Sequence, residues 1–165
     1  MFLELKKLFI GESETQDFSA EMDWSAETIY GQCPFAAPVC ISGVVSNTAG
    51  VVCLRYQLQT AITMPCDRCT AETVQPFFRT FEHILVDALQ GEDTGELIVV
   101  EEGLRLNMGE LAFADALLEF PSKFLCKPDC KGICSGCGAN LNTEQCRCTS
   151  KPIDPRLAVL KDLLG

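Results

Sequence analysis

Between Val52 and Met64 apolar and polar residues alternate more regularly than anywhere else in the chain. Val52, Leu54, Tyr56, Leu58, Ile62 and Met64 face one way, and Arg55, Gln57, Gln59 and Thr63 the other. Strand side chains change face at every residue, so this pattern predicts an antiparallel strand with one buried and one wet face. Val39–Val45 reads as the strand before it, followed by the turn Asn47-Thr48-Ala49-Gly50. Thr73–Leu85, rich in Thr, Val and Phe, reads as the strand after it. The N-terminal residues to Ile10 can form a further strand, and Leu97–Glu101 a short one. Residues 11–28, acidic and polar with Phe18 and Trp24 as anchors, are expected to be a loop with short extended pieces. Residues 87–96 are expected to be an acidic loop.

Two helices are predicted after the strands. Asn107 reads as an N-cap with Glu110 three residues on, opening a helix through Glu119 that Pro121 ends. Its expected buried face is Met108, Leu111, Ala114, Leu117 and Leu118. Asp154-Pro155 places a cap and a first-turn proline before a helix with Leu157, Leu160 and Leu164 on one face. A run of strands followed by two helices implies an α+β fold, mainly antiparallel, with a cysteine-rich segment between the helices. The expected organisation is a β-rich body over 1–121 with its helix at 107–120, a zinc-binding segment over 122–150 and a C-terminal helix over 151–165. All three are expected to form one structural unit.

The cysteines change this picture most. Six of the eleven lie between Cys126 and Cys148, separated by Gly, Asn, Pro, Lys and Asp. Such a segment cannot bury a core of its own, so a cross-link must hold it. An odd cysteine count and the close pair Cys146-Arg147-Cys148 favour metal over a disulfide framework. Sulfur ligands at these spacings suit the tetrahedral shell of Zn²⁺. The Gly after Cys137 leaves room for backbone N–H groups to turn toward a thiolate. Upstream, Cys66-Asp67-Arg68-Cys69 falls in the turn of a hairpin and has no cysteine partner nearby. Eight cysteines suffice for two Cys₄ sites. The economical division closes Cys134, Cys137, Cys146 and Cys148 locally and joins Cys66 and Cys69 to Cys126 and Cys130, although the spacing leaves other divisions open. Such sites are closed and structural, since no coordination position is left for water. Cys33, Cys40 and Cys53 read as small apolar residues in or near the sheet.

Redox chemistry at Cys66-x-x-Cys69 needs a helix N-terminus to lower the first thiol, and the sequence after Cys69 is strand-like. His83, the one histidine, sits mid-strand with no catalytic motif beside it and reads as structural. There is no Walker loop, dinucleotide fingerprint, G-x-S-x-G or paired-carboxylate signature, so no enzymatic activity is expected.

Length and composition set the frame. At 165 residues, 47% hydrophobic and 22% charged, the chain can build an ordinary globular core. No apolar run approaches the roughly 18 residues of a membrane span. The N-terminus interleaves charge with apolar residues, unlike a signal peptide, so a cytoplasmic location is expected. The net charge of −10 is uneven: residues 122–165 carry seven Lys/Arg and four acids, which leaves −13 on residues 1–121. Any polyanion contact then falls to Lys123, Lys127, Lys131, Arg147, Lys151 and Arg156 at the basic end. The plainer reading is that these cations offset the negative charge of the thiolate sites.

Several segments together resemble the YceD family, the large ribosomal RNA subunit accumulation proteins of bacteria and plastids. They are Cys66-Asp-Arg-Cys69 after a strand, the helix ending in Phe120-Pro121, the run from Leu125 through the cysteines to Asn142, and Asp154–Leu164. The resemblance covers the chain from about Val39 to its end. It implies a non-catalytic role in accumulation of large-subunit ribosomal RNA. Some family members keep the upstream pair but lack the downstream cluster, which implies that the second metal site is dispensable to the shared role. Three readings follow: a ribosome-assembly factor meeting a ribosomal RNA precursor, a zinc-stabilised module docking a basic ribosomal protein, and a thiol redox or zinc enzyme. The acidic body favours the second over direct contact with phosphates.

Overall fold

The computed structural model describes residues 1–88 and 97–148. The helix expected at 151–165, with Lys151 and Arg156, lies outside them. The chain divides into two compact units, Met1–Met64 with Val74–Ser122, and Pro65–Thr73 with Lys123–Gly165. The turn residues 65–73, which the sequence reading puts in the β-rich body, group instead with the cysteine-rich segment.

The first unit is built on a five-stranded sheet. In chain order its elements begin with β1 (Phe2–Glu4), α1 (Lys6–Phe9), β2 (Thr15–Met22), β3 (Val39–Thr48) and β4 (Val51–Pro65). They continue with β5 (Glu72–Val86), β6 (Leu97–Val99), β7 (Arg105–Asn107) and α2 (Met108–Leu118). The sheet order is β2-β3-β4-β5-β6, while β1 and β7 form a separate antiparallel pair. β2 and β3 pair antiparallel, as do β3 and β4, and β6 joins β5 in parallel. The fold is thus α+β, mainly antiparallel but mixed at one edge.

β4 follows the predicted alternation. Val52, Leu54, Tyr56, Leu58, Ile62 and Met64 are buried, and Arg55, Gln57 and Gln59 are exposed. The turn into it closes as predicted, with Gly50 donating to Asn47 Oδ1 at 2.9 Å. Gly43 of β3 lies opposite Phe18 of β2 and Tyr56 of β4. A Cβ there would lie 2.3 Å from Arg55 O and 2.5 Å from Tyr56 Cβ, so the strands approach only because Gly43 has none.

Three expectations change. The N-terminal strand stops at Glu4 and a short helix follows, burying Leu5 and Leu8. Within the supposed loop 11–28, Thr15–Met22 is a full edge strand, its half-buried Gln16, Phe18, Ala20 and Met22 alternating with exposed polar residues. The face of α2 also differs. Asn107 caps it, accepting from Gly109 N and Glu110 N, but the buried residues are Met108, Ala112, Asp115 and Ala116. Leu117 and Leu118 point to solvent, 43% and 83% exposed.

Asp115 explains the rotation. Its Oδ2 accepts from Tyr56 Oη and lies 2.7 Å from His83 Nε2. Both contacts converge on the same carboxylate oxygen. The three side chains satisfy one another inside the sheet–helix layer, where an unpaired polar group would be costly. Burial, and then Asp115, push the Tyr56 hydroxyl far above the ordinary tyrosine range. His83 is thus tied into this part-buried contact with Asp115. Among the described residues, no helix is long and apolar enough to cross a membrane.

Candidate metal centres

Among its described residues the second unit has almost no hydrocarbon interior. Its buried residues include Cys66, Cys69, Phe124, Cys130, Cys134 and Ala139, so sulfur fills most of the space that leucine or valine would take elsewhere. A segment this short cannot hold itself together by apolar burial alone.

The eight cysteines of the segment separate into two tetrads. Cys66, Cys69, Cys126 and Cys130 form one, and Cys134, Cys137, Cys146 and Cys148 the other, with all Sγ atoms in each within 4.8 Å. The economical division read from spacing is the one observed. In the inner tetrad the Cys66–Cys130 sulfurs are 3.8 Å apart and the Cys69–Cys126 sulfurs 3.6 Å. In the outer tetrad Cys134 lies 3.4 Å from Cys146 and 3.8 Å from Cys148, with Cys137 4.0 Å from Cys146. Four sulfurs at tetrahedral corners, each about 2.3 Å from a central ion, stand about 3.8 Å from one another. A disulfide would bring a pair to about 2.05 Å, and all eleven cysteines are unbridged. Each tetrad can therefore hold one tetrahedral ion.

The inner tetrad is assembled by the hairpin turn and the run that starts at Lys123. Cys66 N donates to Ala71 O at 2.8 Å and Thr70 N to Cys66 O at 2.8 Å, and Thr70 takes a left-handed φ of 57°. This curl points Cys66 and Cys69 the same way. Asp67 then clamps the second arm from both sides. Its N–H donates to Phe124 O at 2.8 Å, and its Oδ2 accepts from Phe124 N at 2.7 Å. Arg68 adds a second clamp: Nη1 donates to Cys130 O at 2.7 Å, and Arg68 O accepts from Ile133 N at 3.0 Å. Gly132 sits against that carbonyl with φ of 75°, where a Cβ would come within 3.0 Å of it. Asp67 and Arg68, the two residues between the upstream cysteines, thus hold the site without being ligands. Sequence reasoning assigns them no role.

The outer tetrad is a local knuckle. Cys134 N donates to Ala139 O and Gly138 N to Cys134 O, both at 2.9 Å, with Gly138 at φ of 73°. Gly138 does what the sequence reading gives it: it makes the turn that brings the Ala139 N–H to the Cys137 thiolate. Gly136 and Cys137 supply N–H groups to the Cys134 thiolate. Gly136 is also required by space, since a Cβ there would lie 2.8 Å from Cys148 Sγ.

Electrostatics within each tetrad is uneven in a way that suits a cation. Burial alone would raise Cys66, but backbone N–H groups of Cys126, Arg68 and Cys69 outweigh it and bring the thiol down to about 6. N–H groups of Cys137 and Gly136 bring Cys134 down to about 6. Cys126 is pushed up to about 12 by burial and then by its neighbouring sulfurs. Cys148 is pushed up to about 12, chiefly by Cys146, Cys134 and Cys137. In each site two thiols are lowered, Cys66 with Cys130 and Cys134 with Cys137, while Cys126 and Cys148 resist until a positive charge arrives, so metal uptake releases protons.

Of the cationic residues singled out by sequence, Lys123, Lys127, Lys131 and Arg147 are exposed on this unit. Cys33 and Cys40 are exposed and Cys53 half-buried, so only Cys53 approaches the interior role expected of the three. Cys40 stands on the outer face of β3, and Cys53 Sγ donates to Glu82 Oε1 at 3.6 Å.

Residues 54–164 match the family described as large ribosomal RNA subunit accumulation protein YceD. The chain is 30% identical over 145 residues to a chloroplastic protein of Zea mays named large ribosomal RNA subunit accumulation protein YCED homolog 1. That alignment takes in 70% of this chain and 49% of the maize protein. Uncharacterised proteins of Mycobacterium bovis and Mycobacterium tuberculosis are 41% identical over 68 residues, which is 41% of this chain and 31% of theirs. The chain thus spans about half the length, or less, of the curated relatives it matches. No solved structure matches it. The family match runs from β4 through both cysteine tetrads, and the chain belongs to the YceD family of large ribosomal RNA subunit accumulation proteins.

Proposed function

We propose that this protein is a non-catalytic, cytoplasmic factor supporting accumulation of large-subunit ribosomal RNA, with one structural Zn²⁺ in each cysteine tetrad. The sulfur geometry carries the metal part: two closed tetrahedral S₄ sets suit zinc and leave no position for a substrate or water. The family carries the role in ribosomal RNA accumulation. Elemental analysis of protein purified without chelator should give about two zinc per chain. No zinc together with fully reactive thiols would refute the metal assignment.

In this reading the C-terminal end meets a ribosomal RNA precursor, with Lys123, Lys127, Lys131, Arg147, Lys151 and Arg156 as the direct phosphate contacts. Reversing Lys127, Lys131 and Arg147 to Glu spares every cysteine. Removing one lysine or arginine that neutralises a phosphate should lower the slope of log affinity against log salt by about 0.7 to 0.9. Precursor association and large-subunit RNA accumulation in a complemented deletion strain should fall. A triple variant that binds and complements like wild type excludes the basic end as the contact.

A second reading has its own observation. The first unit holds five Lys/Arg and seventeen Asp/Glu, a charge of −12. Its outer sheet face also exposes Val74, Phe78, Ile84 and Val99, at 65%, 51%, 42% and 45%. Such a surface suits a basic ribosomal protein, which would meet acid at its charged groups and an apolar strip at its centre. Capture of ribosomal proteins at low salt, lost on Phe78→Glu but kept in the triple reversal, selects this reading.

A further inference from the structure

The two tetrads are tied by a side chain that belongs to neither. Asn142 sits in the loop that runs from Cys137 to Cys146, both ligands of the outer tetrad. From that loop its Nδ2 donates to Cys130 Sγ of the inner tetrad at 3.3 Å. The amide is held in one orientation. Its Oδ1 accepts from Lys131 N at 2.9 Å, so the opposite assignment would set N–H against N–H. The second Nδ2 hydrogen goes to Asn140 Oδ1 at 2.9 Å, which also accepts from Asn142 N at 3.0 Å. Every polar atom of the Asn142 amide is therefore used, and the side chain has no freedom to leave the sulfur while its loop stays folded.

The loop is held by backbone bonds in its middle, Leu141 N to Gly132 O at 2.9 Å and Glu144 N to Asn140 O at 2.7 Å, and at both ends by the sulfurs of the outer tetrad. Resting on the assignment of a metal ion to each tetrad, we propose that Asn142 is a positioning residue through which the outer site stabilises metal at the inner one. An ion in the outer tetrad fixes Cys137 and Cys146, fixes the loop between them, and holds the Asn142 N–H against the Cys130 thiolate. Emptying the outer site frees the loop and removes that donor. Hydrogen bonds to a ligating sulfur orient it and offset its charge, and removing such an outer partner costs about 10- to 100-fold in metal affinity. The dependence is reciprocal, as linkage requires.

The test measures zinc release to a colorimetric chelator, with Co²⁺ substitution to report S₄ coordination at each site. Cys137→Ser with Cys146→Ser leaves only the inner site, which should release its ion about 10- to 100-fold more readily than in the intact protein. Asn142→Asp keeps the size and the acceptor oxygen but removes the donor. In the intact protein it should speed inner-site release to a similar extent. Combined with the outer-site variant it should add little, because both remove one interaction. In a Cys66→Ser, Cys69→Ser background, where only the outer site remains, Asn142→Asp should leave release unchanged. Wild-type release from Asn142→Asp overturns the proposal, as do multiplying effects in the combined variant. Faster release from the outer site alone also overturns it, since the substitution would then be unfolding the loop. Wild-type protein that takes up neither Zn²⁺ nor Co²⁺ is a separate result and removes the metal assignment itself.

Discussion

Cys66→Ser removes one sulfur from the inner tetrad, and its effect should reach Cys130, 64 residues along the chain. A cross-link restricts the unfolded chain in proportion to the logarithm of the loop it closes. Bridging the hairpin turn to the 126–130 run closes a loop of about 60 residues, which contributes about 4 kcal/mol at 25 °C. The outer tetrad joins residues 14 apart, and the same relation gives about 3 kcal/mol. The inner site is therefore the stronger constraint, and the one whose removal disconnects two distant segments. Hydrogen exchange reads this directly at three amides whose partners lie in the second unit. Cys130 N bonds Lys127 O at 3.1 Å, Ile133 N bonds Arg68 O at 3.0 Å, and Asp67 N bonds Phe124 O at 2.8 Å. A drop of about 4 kcal/mol corresponds to roughly a thousandfold faster exchange, up to the rate set by local opening. Cys137→Ser should leave Asp67 N more protected than Cys66→Ser does. Accelerated exchange confined to residues 66–73, with Cys130 and Ile133 unchanged, would refute the long-range bridge.

Gly136→Ala puts a Cβ 2.8 Å from Cys148 Sγ, so metal content should fall from about two ions per chain toward one, read by elemental analysis. Gly43→Ala should destabilise the first unit by about 1–3 kcal/mol in denaturant melts, because the clashing atoms are Arg55 O and Tyr56 Cβ rather than a flexible tip. Tyr56 yields a pH dependence. Its folded pKa is raised, so above about pH 10 the unfolded chain gives up this proton while the folded one keeps it, and stability falls as pH rises. Tyr56→Phe should flatten that alkaline decline while costing about 1–2 kcal/mol at neutral pH, since Asp115 loses one of its donors.

How much of this is legible in the chain depends on where each signal is written. β4 can be read because its burial is one-sided and its inward residues are large, so local order and tertiary packing agree. β2 cannot, because its inward residues are Gln16, Phe18, Ala20 and Met22, only half-buried at a sheet edge, and its outward acids look like a solvated loop. Weighing leucines misplaces the buried face of α2. Ala112 and Ala116 allow close approach to the sheet, and Asp115 finds partners in Tyr56 and His83, 59 and 32 residues away. No window of sequence contains those partners. The same holds for the metal centres. The ligands can be sorted because cysteine spacing is local chemistry, whereas Asp67, Arg68 and Asn142 read as ordinary loop residues. Their roles exist only through contacts with Phe124, Cys130 and Lys131.

Metal loading also alters the electrostatics on which an RNA contact depends. Counted from side chains with neutral thiols, the second unit has eight Lys/Arg against six acids, a charge of +2. Each Zn²⁺ held by four thiolates brings about −2, so two loaded sites turn the unit to about −2. The loaded protein then has no broadly positive end to attract a polyanion over distance, and Arg68 is already committed to Cys130 O. Any phosphate contact in this unit has to be short-range, made directly by exposed Lys123, Lys127, Lys131 and Arg147, the last three of which adjoin a tetrad cysteine in the chain. Docking through the first unit meets no such cancellation, since its −12 is untouched by the metals. The discriminating experiment is therefore salt dependence measured with the zinc sites filled. A slope that follows the number of lysines removed from the second unit identifies phosphate contacts. A slope that ignores them, and responds instead to acids of the first unit, identifies a basic protein as the partner.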